Sequence, residues 1–207
     1  MPLIAQPMRH SSMALAHYSR QVRIILLGDS HLARVRRDLP RLACRESDCS
    51  GSGNAEILNA AVGGAFASDL RKQAATVGVR RGDRVVISIG TNDAAPWKQV
   101  TLADVTRQVE DFLVSITAER LVYLTPPGVD EVHLKGLKDR TNAAMATYGV
   151  VIADRLSKVG AIVVHGQELV KALGSNAFAD DGVHLSGHGY DAVLPALASA
   201  LCGGRHA

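Results

Sequence analysis

RVVISIGTND, residues 84–93, carries the clearest strand signal in the chain. After Arg84 comes VVISI, an aliphatic, β-branched run of the kind that suits a strand buried on both faces. Gly90 ends it, and Thr91, Asn92 and Asp93 follow as turn residues. Further aliphatic runs lie outward on both sides, at 22–27, 56–60, 121–124 and 161–164. Between them the apolar spacing changes to three and four, which predicts helices over 32–42, 68–77, 102–117, 138–156 and 187–201. Ser68 stands at an N-cap position, and Pro195 marks a kink in the last helix. Strands separated by helices require crossover connections. The expected fold is therefore α/β, a three-layer α/β/α sandwich around a mainly parallel central sheet.

The length of 207 residues suits one domain, expected over 21–202. Residues 1–20 read as a polar, flexible leader, because no sustained apolar stretch makes them a signal peptide. Residues 203–207 read as a tail. Aromatics are only 4%, so the core must be aliphatic. A net charge of +3 is too small to argue for nucleic acid. Arg34, Arg36, Arg37, Arg41 and Arg45 cluster without interleaved aromatics, which suits a solvated helix face better than a platform for bases. No apolar run reaches the roughly 20 residues needed to span a bilayer. Cys44, Cys49 and Cys202 form no C-x-x-C, so neither a zinc knuckle nor a redox motif is expected. The cysteines read as free thiols in a reducing cytoplasm; in an oxidising compartment Cys44 and Cys49 would pair and leave Cys202 over. Neither a cofactor nor a metal is expected, since H-E-x-x-H and G-x-x-x-x-G-K-[ST] are missing. G-x-S-x-G is missing too, which disfavours the ordinary α/β-hydrolase arrangement.

In a parallel sheet the ligand site lies beyond the carboxyl ends of the strands. Three polar segments follow strand candidates and should gather there: 28–30, 62–64 and 90–93. Ser30 sits between a strand and a helix, where its N–H and the helix dipole favour negative charge. A serine nucleophile needs a base, and the base needs a carboxylate that fixes its tautomer. Asp181-Gly182-Val183-His184 puts both on one tight turn, with Asp180 and His188 as rivals for the two roles. Asn92 offers an uncharged amide that can donate to an oxyanion. Gly64 lets backbone approach a ligand closely.

Taken together, LLGDSH at 26–31, NAAVGG at 59–64, IGTND at 89–93 and DDGVHLSGHGY at 180–190 resemble the four blocks of the SGNH hydrolases, also called GDSL esterases. The resemblance runs from about residue 23 to 201. It implies a flavodoxin-like fold and an ester hydrolase with Ser30 as nucleophile, His184 as base and Asp181 as its orienting acid. It implies oxyanion donors at the Ser30 N–H, the Gly64 N–H and the Asn92 side chain. Gly64 is preferred to Gly63 because the family glycine lies five residues after the block's Asn, here Asn59. His31 departs from the leucine that often follows the serine, and resembles branches that act on acetylated carbohydrates. Asp29, His31, Asp93 and Trp97, with the 126–136 segment, are candidates to border the substrate pocket. The partner implied is a small-molecule or carbohydrate ester. The absence of a lid and the scarcity of aromatics favour short acyl chains. A carbohydrate O-acyltransferase would use the same triad, and a binding module that has lost the chemistry is the third reading.

Overall fold

The five aliphatic runs become five strands of one sheet, in a computed structural model that describes residues 22–37, 42, 55–134, 136 and 139–203. The strands are β1 (Arg23–Gly28), β2 (Glu56–Asn59), β3 (Arg84–Ser88), β4 (Arg120–Leu124) and β5 (Ile162–Val164). The helices are α1 (Ser30–Ala33), α2 (Leu70–Val77), α3 (Leu102–Ser115), α4 (Asn142–Ser157), α5 (Gly166–Val170) and α6 (Gly187–Cys202). The strand order is β2-β1-β3-β4-β5 and every pairing is parallel. This is the flavodoxin-like order, whose switch point lies between β1 and β3. Gly28 is in register with Ser88, Ser88 with Leu124, and Leu124 with Val164, so the carboxyl ends form one level rim.

Alternation along the strands divides the core into two. Ile24, Leu26, Val86 and Val122 pack with Leu32 of α1 and with Leu194 and Leu197 of α6. Ile25, Leu27, Val85 and Ile87 face the other way, against Leu70, Val109, Phe112 and Ile152 of α2, α3 and α4. Each fully buried Ile or Leu contributes about 1.5–3 kcal/mol relative to exposure. At the opposite end of the sheet, Arg84 Nη1 donates to the Leu201 carbonyl at 3.1 Å and Arg120 Nη1 to that of Ala200 at 2.9 Å. These cations satisfy the last carbonyls of α6 and suit the negative end of its dipole. With its carboxyl end pinned, α6 presents its first turn at the rim.

Several expected boundaries move. The helix predicted over 32–42 is a single turn, α1, followed by a 3-10 turn at Arg34–Arg37; most of its remainder lies outside the described residues. A 3-10 turn at Ala67–Asp69 precedes α2, where the Phe66 N–H donates to Asp69, so Ser68 is no N-cap. α4 starts at Asn142, not 138, because the Thr141 hydroxyl accepts the Ala144 N–H and caps it there. Residues 166–177, unread in the sequence, form α5 and a 3-10 segment, each too short for periodicity to show. Cys202 is disulfide-bonded, which corrects its reading as a free or leftover thiol. The leader at 1–20, Cys44, Cys49, Arg41 and Arg45 lie outside the described residues. No helix among the described residues is long and apolar enough to cross a membrane.

Candidate active site

Ser30 opens α1 at the end of β1 and is 8% exposed. The turn before it is tightly specified. Gly28 has φ +130, and a Cβ there would lie 1.9 Å from the Ser88 carbonyl oxygen of β3, so only glycine fits. Its N–H donates to Gln73 Oε1 at 2.6 Å, and its carbonyl accepts from Gln73 Nε2 at 2.9 Å and from the Val62 N–H at 2.9 Å. The Asp29 N–H donates to the Ser88 carbonyl at 2.8 Å, and the Asp29 carboxylate caps α1 by accepting the His31 N–H at 3.0 Å. The Ser30 N–H, in the first turn, has no intrahelical acceptor and remains available to a ligand.

The next two rim segments meet beside this turn. An added Cβ on Gly63 would lie 4.0 Å from Ser30 Cβ, which brings the 62–65 turn against the serine. Gly64 has φ +81 and is exposed. Asn92 Nδ2 donates to the Ala65 carbonyl at 3.0 Å and so ties the β3 loop to that turn. Asp93 bridges the same two segments, accepting the Ala67 N–H and the Gly90 N–H, each at 3.0 Å. Asn59 fastens the β2 end to α1, donating from Nδ2 to the Leu32 carbonyl at 2.8 Å and accepting the Ala61 N–H at 3.0 Å.

The fourth element is the turn before α6. Asp181 Oδ1 accepts the Val183 and His184 N–H groups at 2.9 Å, and Asp181 Oδ2 lies 2.6 Å from His184 Nδ1. The ring's Nε2 is thereby the end left for chemistry, and an Nδ1–H facing a carboxylate fixes that tautomer. Desolvation opposes ionisation of Asp181, but the hydrogen bonds from the His184 backbone, the His184 ring and the Val183 backbone outweigh it and hold its carboxyl well below the usual range. An antiparallel bridge between Phe178 and Leu185 closes the turn, and the Asp130 N–H donates to the Gly182 carbonyl at 2.7 Å. His184 faces the Ser30 region: its ring centroid is 6.3 Å from that of His31, the residue after the serine. Asp180 and His188 are exposed, and the carboxylate bonded to the His184 ring is that of Asp181.

Three of the four residues expected to border the substrate pocket lie beneath the surface of the rim. Asp29, His31 and Asp93 are buried. Their polar positions in the chain signalled exposure, whereas backbone N–H groups draw both aspartates inward. Burial pushes Asp29 up to about 7 against the lowering effect of the His31 N–H, with Asp93 adding to the rise. Burial also raises Asp93, opposed by the N–H groups of Ala67 and Gly90. Burial lowers His31 to about 3, and the nearby His184, Arg140 and Arg34 charges lower it further. Neither of its ring nitrogens has a partner among the described residues, while its carbonyl accepts the Tyr190 hydroxyl at 2.9 Å. Only Trp97 stands at the surface, 51% exposed, with the Arg140 guanidinium 5.1 Å from its ring centre. Arg140 carried no signal in the sequence. Its polar loop matches no motif, and it lies 48 residues from the asparagine it touches.

A cavity of about 520 Å³ opens beyond β4 and β5, lined by Pro127, Asp130, Gln167, Lys171 and Phe178 among others; Ser30 and His184 are not part of its wall. Asp130 joins it to the site through the bond to Gly182. Among the described residues no group of three His, Cys, Asp or Glu is placed to hold a metal ion.

The GDSL-like Lipase/Acylhydrolase family matches residues 26–192 of this chain. Among solved structures, the chain is similar to the lipase/acylhydrolase from Enterococcus faecalis, at 22% identity and a TM-score of 0.69 over 86% of this chain and 93% of that one. It is similar to an acetylxylan esterase from Geobacillus stearothermophilus, at 20% identity and a TM-score of 0.64 over 88% and 94% of the two chains. It is also similar to an alpha/beta hydrolase enzyme from the metagenome of Lake Arreo, Spain, at 16% identity and a TM-score of 0.59 over 87% and 96%. At these identities the likeness is one of fold. No curated protein matches the chain.

Proposed function

The chain belongs to the GDSL-like lipase/acylhydrolase family, and we propose that within it the protein is a serine esterase acting through an acyl-enzyme on Ser30. The observation that carries this reading is the 2.6 Å contact between His184 Nδ1 and Asp181 Oδ2 on a turn facing the end of β1, where Ser30 stands. Ser30 Oγ attacks the ester carbonyl carbon and His184 Nε2 takes its proton. The carbonyl oxygen becomes an oxyanion, held by the N–H groups of Ser30 and Gly64 and by Asn92 Nδ2. His184 returns the proton to the departing alcohol oxygen. Water then repeats the sequence on the acyl-enzyme, releasing the acid and restoring Ser30. The ionised Asp181 stabilises the imidazolium formed in each half.

The preferred substrates are short acyl esters of small molecules or carbohydrates. Two of the similar structures carry related names, a lipase/acylhydrolase and an acetylxylan esterase, and a serine-to-alanine variant of the latter is described as a catalytic mutant. The exposed Trp97, which shares Arg140 as a neighbour with Asn92, offers a flat apolar face of the kind on which a sugar ring stacks. The disulfide at Cys202 favours an oxidising compartment over the reducing cytoplasm expected from sequence. Labelling with a fluorophosphonate tests the mechanism: the wild type is expected to label and Ser30→Ala not to, while both melt alike. A labelled Ser30→Ala protein would sink the assignment. Among p-nitrophenyl esters, kcat/KM is expected to peak between acetate and butyrate; an optimum at octanoate or longer would remove the short-chain preference and leave the triad standing.

A further inference from the structure

We infer that Arg140 is a positioning residue of the oxyanion hole, which locks the Asn92 amide with its nitrogen turned to the site. The inference rests on the reading of Asn92 as an oxyanion donor. Arg140 lies in the loop before α4 and is 9% exposed. Its Nη1 lies 3.4 Å from both the Thr91 carbonyl and Asn92 Oδ1. Its Nε donates to Asp139 Oδ1 at 3.0 Å, and its Cζ lies over the Trp97 ring, 5.1 Å from the centroid. The guanidinium is thus held on three sides and has little freedom to retreat.

A guanidinium only donates, and an amide has one accepting and one donating end. The end of Asn92 that faces Arg140 must therefore be the oxygen. The other end meets the Ala65 carbonyl, which only accepts, and so must be the nitrogen. Reversing the amide would set Oδ1 against the Ala65 oxygen and the NH2 group against the guanidinium, two repulsions at once. The lock is two-ended. One N–H of Nδ2 is used by Ala65, the residue after Gly64, and the second is left for the oxyanion. The same contacts join the two donors, since Asn92 holds the turn that carries the Gly64 N–H. A donor fixed before the reaction incurs no reorganisation cost in the transition state, which is where such donors act.

The test is a double-mutant cycle on p-nitrophenyl acetate hydrolysis with Arg140→Met, Asn92→Ala and the pair, each variant first shown to melt cooperatively. The expected result for Arg140→Met is a kcat about tenfold lower with KM within about twofold. In the Asn92→Ala background the same substitution should change kcat by less than about twofold, because the amide it positions is gone. An unchanged kcat in Arg140→Met overturns the inference, as does an equal fall in both backgrounds. Should Arg140→Met fail to fold, the cycle is run with Arg140→Lys, which keeps the charge but loses the planar fork. A smaller fall in kcat that vanishes with Asn92→Ala is then expected, and no fall or an additive one overturns it. The two readings separate cleanly: wild-type kcat in Asn92→Ala removes Asn92 from the oxyanion hole, whereas a severe Asn92→Ala with an additive Arg140 effect overturns the positioning role alone.

Discussion

At the end of β1 the backbone is held by the sheet, whereas the turn from Phe178 to Leu185 is held largely by itself. Gly28, Asp29 and Ser30 are buried and bonded to Ser88 on one side and to Gln73 and Val62 on the other. Asp181 and His184 keep 47% and 22% of their side-chain surface, and the bonds of the Asp181 carboxylate are local, three residues apart or fewer. The Phe178–Leu185 bridge, the Ala179 N–H on the His184 carbonyl and the Ser186 hydroxyl on the Asn176 carbonyl close the turn on itself, and the Asp130 N–H on the Gly182 carbonyl ties it to the segment after β4. The nucleophile's place is thus a property of the whole sheet. The His184 side chain itself belongs to neither core, although Leu185 beside it does, so mutations of the Asp181–His184 pair should separate activity from stability.

The largest effect on activity with the least on stability is expected from His184→Ala. Removing a triad base costs on the order of 10^4-fold or more in kcat, while this partly exposed ring contributes little packing. Asp181→Asn is expected to be milder, about 10–100-fold in kcat, because water reaches an exposed carboxylate position and can in part replace it. Steady-state kinetics beside thermal melts checks both. An Asp181→Asn loss equal to that of His184→Ala would mean that the exposed turn behaves like a buried triad, and the contrast drawn here would fail.

The sharpest contrast lies between two glycines. Gly28→Ala forces a Cβ to within 1.9 Å of a β3 carbonyl at a φ of +130, so the sheet itself must move. The expected cost is about 3 kcal/mol, or roughly 6–12 °C in Tm for a chain of this size. Gly182 also has a positive φ, +69, and a Cβ there would meet the Asp130 carbonyl at 2.8 Å. Only the turn needs to yield, so Gly182→Ala is expected to lower Tm by less than about 4 °C. Its kcat should fall about tenfold, since a small displacement of a catalytic group is expensive. Equal falls in Tm for the two variants would show that the turn is part of the same cooperative unit as the sheet.

This division also decides what could be read from the chain. The rim at 28–30 and 90–93 was legible because aliphatic runs stop at glycines, and strand ends of a parallel sheet share an edge. The pairing of Asp181 with His184 was legible because a three-residue spacing on a tight turn is a local fact. Burial of Asp29, His31 and Asp93 was not, since polar letters in a loop look alike whether backbone N–H groups draw them inward or not. Arg140 on Asn92 and Tyr190 on His31 were hidden for a different reason, for they join residues 48 and 159 positions apart that no motif spans. The disulfide at Cys202 is of the same kind, because pairing depends on proximity in space and not on spacing.

His31 is where the two regions touch, and it yields the smallest and most specific prediction. Its ring is buried 6.3 Å from that of His184, with neither nitrogen partnered among the described residues. Burial lowers its pKa from 6.5 to about 3, with the His184, Arg140 and Arg34 charges acting in the same direction and Asp181 against it. The unfolded chain therefore takes up a proton between pH 6.5 and 3 that the folded protein refuses. Stability is full above about 6.5 and is lost as pH falls. Asp29 slopes the other way: burial raises it from 3.8 to about 7, so its contribution is full below 3.8 and is lost as pH rises toward 7. In the wild type these opposite slopes partly offset one another between pH 4 and 6.5. His31→Leu removes one slope and also two unpaired polar atoms, so it is expected to raise stability by about 1 kcal/mol at pH 7. The gain should grow as pH is lowered to 4, because the unfolded chain no longer gains from protonating residue 31, while Asp29, whose protonation favours the fold at low pH, is unchanged. Thermal melts of both proteins at pH 4, 5.5 and 7 measure this. A Tm difference that stays constant or shrinks toward pH 4 would mean that the imidazole is not held neutral by burial, and that the rim behind Ser30 is more open to water than the β1 turn implies.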